Sequence, residues 1–193
     1  IASGKVKGIE QEGTMAFLGI PYAKVERFMP PMPVDKWDTV RVCDHWGPQA
    51  MQNTGGRQLS EDEMSENSCV LNVWTTDCSA KKPVMLWLHG GGFDSGTSAW
   101  NPGWGLAKND VVSVSINHRL NILGFLDLSA CSDKYKQSGN VGMLDVVAAL
   151  EWIKQNISQF GGDPNNVTVF GESGGGGKVG TDRKSTRLNS SHQ

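Results

Sequence analysis

No apolar run in this chain approaches the ~20 residues needed to cross a bilayer core, so a spanning helix is excluded. Neither sign of charge dominates: 18 Lys and Arg stand against 20 Asp and Glu, for a net charge of −2. That balance offers nothing to attract a nucleic acid. The four cysteines, Cys43, Cys69, Cys78 and Cys131, show no C-x-x-C spacing, which removes the usual metal frameworks. They read as mostly free, small hydrophobes. No leader is visible, but the chain opens on Ile1 rather than Met and its start is read as incomplete. Internal repeats and low-complexity stretches are also missing from residues 1–181. Two N-x-[ST] matches, at Asn156 and Asn166, are read as chance, because the second borders a strand expected to be buried.

What is present is the composition of a folded globular chain, 38% hydrophobic and 20% charged. Val6-Lys7-Gly8-Ile9 and Met15–Ile20 read as two short strands turned at Glu12-Gly13, an N-terminal antiparallel hairpin. Residues 48–66 are polar and read as surface loop, with an acidic run at Glu61-Asp62-Glu63. Val70–Trp74 gives another strand. Three later runs, Val84–Leu88, Val111–Ile116 and Val167–Phe170, are apolar almost throughout. Continuous apolarity suggests strands of a parallel sheet, covered on both faces. Between the last two, Met143, Val146, Val147, Leu150, Ile153, Ile157 and Phe160 recur at three-and-four spacing, an amphipathic helix that stops at Gly161-Gly162.

Two motifs carry chemistry. Gly171-Glu172-Ser173-Gly174-Gly175 follows directly on the strand Val167–Phe170. A strand running into G-x-S-x-G is a nucleophile elbow, in which a tight turn lifts Ser Oγ clear of the sheet. Side chains two residues to either side would collide with neighbouring elements, and Gly171 and Gly175 remove those collisions. The second motif, His89-Gly90-Gly91-Gly92, follows the strand Val84–Leu88. Attack of Ser173 on an ester carbonyl puts negative charge on oxygen, and donors must already be aimed at that oxygen. In an α/β-hydrolase elbow they come from the glycine loop and from the residue after the nucleophile, here Gly91, Gly92 and Gly174.

With those motifs the chain resembles the type-B carboxylesterases, the branch of the α/β-hydrolases that holds para-nitrobenzyl esterases and cholinesterases. The resemblance runs over residues 4–181. It is carried by Phe17-Leu18-Gly19-Ile20-Pro21-Tyr22-Ala23, Arg27-Phe28 with Pro30-Pro31, Ser65-Glu66 with Leu71-Asn72-Val73, Asn117-His118-Arg119-Leu120, Leu123-Gly124-Phe125, Gly139–Asp145 and Phe160–Pro164. It implies the N-terminal portion of an α/β-hydrolase fold with a mostly parallel central sheet. It also implies a serine ester hydrolase acting through an acyl-enzyme on a small-molecule ester, with neither cofactor nor metal. Glu172 is then a supporting acid, His89 shapes the oxyanion loop, and Arg27–Glu66 and Arg119–Asp145 are structural ion pairs. One departure stands out: the family's first half-cystine pair falls on Ser68 and Ala50. Losing both ends together agrees with a bacterial enzyme that does not rely on oxidative folding.

Some residues are read more plainly. In this fold the triad runs Ser, then acid, then His, so His45, His89 and His118 all come too early to be the general base. Asp163 reads as a turn residue, and most of the seven Trp as core. A P-loop at Gly174–Lys178 would need Gly at Glu172 and Ser or Thr at Val179. A non-catalytic adhesion protein of the same fold would lack the nucleophile that Ser173 supplies. Residues 182–193 have no periodicity, and Asp182–His192 back-translates to a common sequencing-library adapter; the tail is expected to be non-native. The domain is therefore expected to occupy residues 1–181, with the triad acid and His outside this chain.

Overall fold

The computed structural model describes residues 1–53, 55 and 63–181. Glu61 and Asp62 of the acidic run, and the whole of 182–193, lie outside the described residues. The strands are β1 (Val6–Lys7), β2 (Ile9–Gln11), β3 (Thr14–Pro21), β4 (Arg41–Val42), β5 (Gln49–Ala50), β6 (Met64–Ser65), β7 (Val70–Thr75), β8 (Lys82–Leu88), β9 (Val112–Ile116) and β10 (Gly162–Gly171). Helices α1 (Trp104–Ala107), α2 (Asn121–Phe125) and α3 (Val141–Asn156) lie between them, and residues 174–181 are helical. Six strands form one sheet in the order β10-β8-β9-β7-β3-β2. The β10-β8 and β8-β9 pairs are parallel; β7, β3 and β2 continue the sheet in antiparallel fashion. The sheet is thus parallel at its β10 end and antiparallel at its β2 end.

The hairpin is real but shorter than its apolar pattern suggested. Glu12 and Gly13 both take left-handed backbone, φ 50° and 73°, the two-residue turn that suits strand twist, and Gln11 pairs with Thr14. Val6-Lys7, expected in the same hairpin, instead pairs in parallel with Arg41-Val42. Gly8 separates the two segments: a Cβ there would stand 2.7 Å from the Phe17 ring. The chain bends where that ring needs room.

Helix α3 buries Met143, Val146, Ala149 and Ile153, a three-and-four stripe that shares one core with Val84, Leu86 and Leu88 of β8 and with Val112, Val114 and Ile116 of β9. The α-helix ends at Asn156, earlier than its periodicity suggested. Its last turn tightens to a 3-10 turn over Ile157–Phe160, closed by Gly161 at φ 76°. β10 then begins at once, with Pro164 inside it. Its register against β8 shifts between Gly162 and Val167, which accommodates a residue that cannot donate to a ladder.

Of the three apolar runs, only β9 is buried along its whole length. β8 alternates, and β10, which has no strand beyond it among the described residues, is only partly buried. Asn166, expected beside a buried strand, is exposed within β10, whereas Asn156 is buried and donates from Nδ2 to the Trp152 carbonyl at 2.9 Å. Side chains on the sheet face away from α3 include Trp87, whose ring lies 5.1 Å from Phe170. These two line an open groove with Pro102 and Leu106.

A long strand edge unpaired among the described residues, beside the half-buried Trp87 and Phe170, templates association with other chains. The 193-residue chain alone is expected to elute from size-exclusion chromatography as aggregate, and Thr168→Lys on the exposed part of β10 to lower the aggregated fraction. A monodisperse monomer of the unchanged chain contradicts this.

Candidate active site

β8 and β10 run side by side and in the same direction, so their C-terminal ends deliver two loops to one place. Gly171 aligns with Leu88 in the ladder. Beyond Gly171 the chain turns through Glu172 and Ser173 into the helical residues 174–181. Ser173 takes a left-handed φ of 54°, which is strained for a residue with a side chain. The surrounding glycines hold it there. A Cβ on Gly171 would meet the Gly175 carbonyl carbon at 2.6 Å and the Leu88 carbonyl oxygen at 2.7 Å. A Cβ on Gly175 would lie 2.9 Å from the Leu88 carbonyl carbon and 3.0 Å from the His89 oxygen. The helix thus starts with its backbone against β8, and Ser173 is left exposed above the sheet.

The other loop, His89 to Gly92, comes off β8. Gly91 and Gly92 have φ of 86° and 65°, values open to residues without a Cβ. Gly174 approaches so closely that a Cβ on it would stand 2.5 Å from Gly92 Cα. Gly90 faces Ser173: its Cβ would lie 3.6 Å from Ser173 Cβ and 2.7 Å from Glu172 Oε2. The fold therefore brings Ser173, Glu172, Gly174, Gly91 and Gly92 together. The amides of Gly91, Gly92 and Gly174 donate to no acceptor among the described residues, and a new helix begins at the same point, adding its positive N-terminal end.

Two residues that the sequence did not single out brace this loop. Gln52 accepts from Gly96 N at 2.8 Å and donates from Nε2 to Gly96 O at 3.0 Å. Asn121 donates its backbone N–H to Phe93 O at 2.7 Å and its Nδ2 to Met51 O at 2.6 Å. No local motif marks either one, since each acts across a long stretch of chain.

Behind the loop lies a buried cluster. The rings of His89 and His118 stack at 5.0 Å with 6° between their planes. Each Nδ1 meets a carbonyl oxygen, Gly90 O at 2.8 Å and Arg119 O at 2.9 Å. A carbonyl only accepts, so Nδ1 carries the proton and Nε2 keeps its lone pair. Burial drives the His89 pKa down to about 4 despite the Gly90 hydrogen bond, with the nearby Lys178 adding to the shift. His118 is pushed well below its ordinary value by burial, then by His89 and Lys178. Both are neutral, stacked parts of the scaffold. His45 is on the surface beside Asp44, 2.7 Å away.

The paired charges sit elsewhere. Arg119 and Asp145 are buried and bidentate: Nε donates to Oδ2 at 2.9 Å and Nη2 to Oδ1 at 2.7 Å. Arg119 also donates from Nη1 to the Met29 carbonyl at 2.7 Å, so it ties the turn after β9 to α3 and to the Pro-rich segment. Arg27 donates from Nε to Glu66 at 2.9 Å on the surface, and holds the Glu66 carboxyl below its ordinary pKa. Exposed pairs of this kind add little to stability. All four cysteines are free, with Cys43 and Cys69 buried in the core. Ser68 and Ala50, where the resemblance places a half-cystine pair, are both buried.

A parallel β8-β10 pair that ends in a left-handed serine, facing a glycine loop from the neighbouring strand, defines an α/β-hydrolase. The chain belongs, more narrowly, to the carboxylesterase family, whose model matches residues 1–187. It is 43% identical to a para-nitrobenzyl esterase of Bacillus subtilis over 90% of its length, and 41% identical to a fumonisin B1 esterase of Sphingopyxis macrogoltabida over 92%. Those alignments span only 37% and 35% of the two relatives. Among solved structures, a carboxylesterase of Geobacillus stearothermophilus superposes with a TM-score of 0.84 at 46% identity, over 91% of this chain and 37% of that one. A Clostridium hathewayi esterase described as hydrolysing aliphatic aromatic polyesters also gives 0.84, at 44% identity over 90% of this chain and 37% of that one.

The buried histidines set an acid limit. With folded pKa values below the ordinary 6.5, they leave the unfolded chain to bind protons first as pH falls. Their neutral burial carries no penalty above about pH 6.5, and stability is lost between there and about pH 4, by at most about 3 kcal/mol for His89. Urea unfolding of the full-length protein at pH 7 and pH 4.5 checks this. His118→Phe, which keeps the stack but cannot titrate, is expected to lessen the acid loss; an unchanged loss contradicts the assignment.

Proposed function

We propose that the full-length protein containing this segment hydrolyses carboxylic esters of small molecules, with Ser173 as nucleophile. The observation that carries this reading is the left-handed Ser173 held against the Gly91-Gly92 loop by glycine-only contacts. Ser173 Oγ would attack the ester carbonyl carbon as its proton passes to a histidine supplied from beyond residue 181. The oxygen of the tetrahedral intermediate would take hydrogen bonds from the amides of Gly91, Gly92 and Gly174. The alcohol would leave with the proton, and water would then release the acid from the acyl-enzyme. Glu172, beside Ser173, supports the elbow; His89 shapes the donor loop; and the two ion pairs are structural.

The names of the similar proteins reported above, each an esterase, support the same class. Lys178, which a P-loop would turn toward phosphate, is buried and points at the His89 carbonyl instead. The adhesion reading gains no support from any contact described above. Among the described residues no helix is long and apolar enough to cross a membrane. We propose further that residues 1–181 are the N-terminal part of the catalytic domain and that 182–193 is not native to it, although the family match reaches into that segment.

Turnover of para-nitrophenyl acetate by the full-length protein is expected, and Ser173→Ala is expected to lower kcat by about 10³-fold or more. The 193-residue chain, without an acid and His at family positions, is expected to show no Ser173-dependent turnover. Full activity of the alanine variant overturns the proposal.

A further inference from the structure

Lys178 is fully buried. It lies on the helical turn after the elbow, and its only hydrogen bond among the described residues runs from Nζ to the His89 carbonyl at 3.3 Å. The amine also stands 5.4 Å from the centroid of the Phe93 ring. His89 and Phe93 are the residues that bracket Gly90, Gly91 and Gly92, so the amine spans the back of the glycine loop. No carboxylate pairs with it among the described residues. The groups facing it are the neutral, stacked imidazoles of His89, from the loop after β8, and His118, from the turn after β9. The acids on the adjoining segments, Glu172 on the elbow and Asp94 on the loop, are exposed to solvent.

A buried lysine with no counter-ion is costly to keep charged. Two arrangements offset that cost here: a carbonyl oxygen and the negative face of an aromatic ring. We infer that Lys178 places a positive charge behind the His89–Phe93 loop and thereby strengthens, through that loop, the site where an ester carbonyl oxygen becomes negative. It is a positioning residue. It touches no substrate, and its field adds to that of the Gly91, Gly92 and Gly174 amides in a region of low dielectric, where a fixed charge acts at longer range than in water. The inference rests on the ester-hydrolase reading of Ser173.

Burial alone lowers the Lys178 pKa to about 8. The ammonium therefore persists below about pH 8 and is lost above it. The expected result is a kcat that falls on the alkaline side, separate from the acid limb set by the triad histidine.

The test is kcat for para-nitrophenyl acetate from pH 6 to 10 on the full-length enzyme, with rates normalised to sites titrated by an organophosphonate so that misfolded protein is not counted. Lys178→Met should lower the plateau about tenfold and abolish the alkaline limb. Lys178→Arg, which stays charged to above pH 12, should keep the plateau and also abolish that limb. KM should change little in either. A methionine variant with both plateau and alkaline limb unchanged overturns the inference while leaving the ester-hydrolase reading intact. Absence of any Ser173-dependent turnover in the unaltered enzyme overturns both.

Discussion

The contact on which the rest depends is backbone against backbone: the first turn of the helix after β10 lies directly on the end of β8. Gly171 and Gly175 allow it, because a methyl group at either position would occupy space already held by main-chain atoms around Leu88 and His89. That closeness forces the tight turn, and the turn forces Ser173 into left-handed backbone. It also sets the separation between Ser173 and the loop that leaves β8. A slightly wider approach would relax the serine and move it away from the glycine amides at the same time. Strain at the nucleophile and alignment of the donor loop are thus two results of one packing constraint.

The sheet supplies the frame for that contact. β8 is clamped between β9 and β10, and α3 covers the side opposite Trp87 with Val146, Ala149 and Ile153. Arg119 and Asp145 link the turn after β9 to α3 in the buried interior. Removing one member of such a pair would leave an uncompensated charge, which typically costs 3–5 kcal/mol. Gln52 and Asn121 hold the glycine loop from its far side, while the stacked histidines and Lys178 fill the space behind it. The loop is therefore braced at Phe93 and Gly96 and backed at His89, while Gly91 stays open to solvent.

Much of this was legible in the sequence, for definite reasons. G-x-S-x-G and His-Gly-Gly-Gly are local patterns whose glycines are required by local sterics, so spacing alone placed them. The stripe Met143–Ile153 marked α3 because one helix face must be apolar. Legibility failed where long-range geometry decides. Val6-Lys7 looked like part of the hairpin, but its partner lies at Arg41-Val42. Val167–Phe170 reads as a strand covered on both faces, and among the described residues β8 is its one partner. Gln52 and Asn121 left no signal, since a single polar residue far along the chain looks the same whether it braces a loop or faces water; Lys178 was visible only as the lysine of a P-loop pattern that fails at Glu172 and Val179.

The central claim, that close packing on β8 sets Ser173 toward the glycine loop, is tested most directly by the rate at which a fluorophosphonate labels the full-length enzyme, with the site mapped by peptide mass. The account predicts a single label on Ser173. It also predicts a labelling rate reduced about 100-fold or more in a folded Gly175→Ala variant, since misplacement of about 1 Å has that effect on an aligned nucleophile. A label on another residue, or an unchanged rate in the alanine variant, would contradict it.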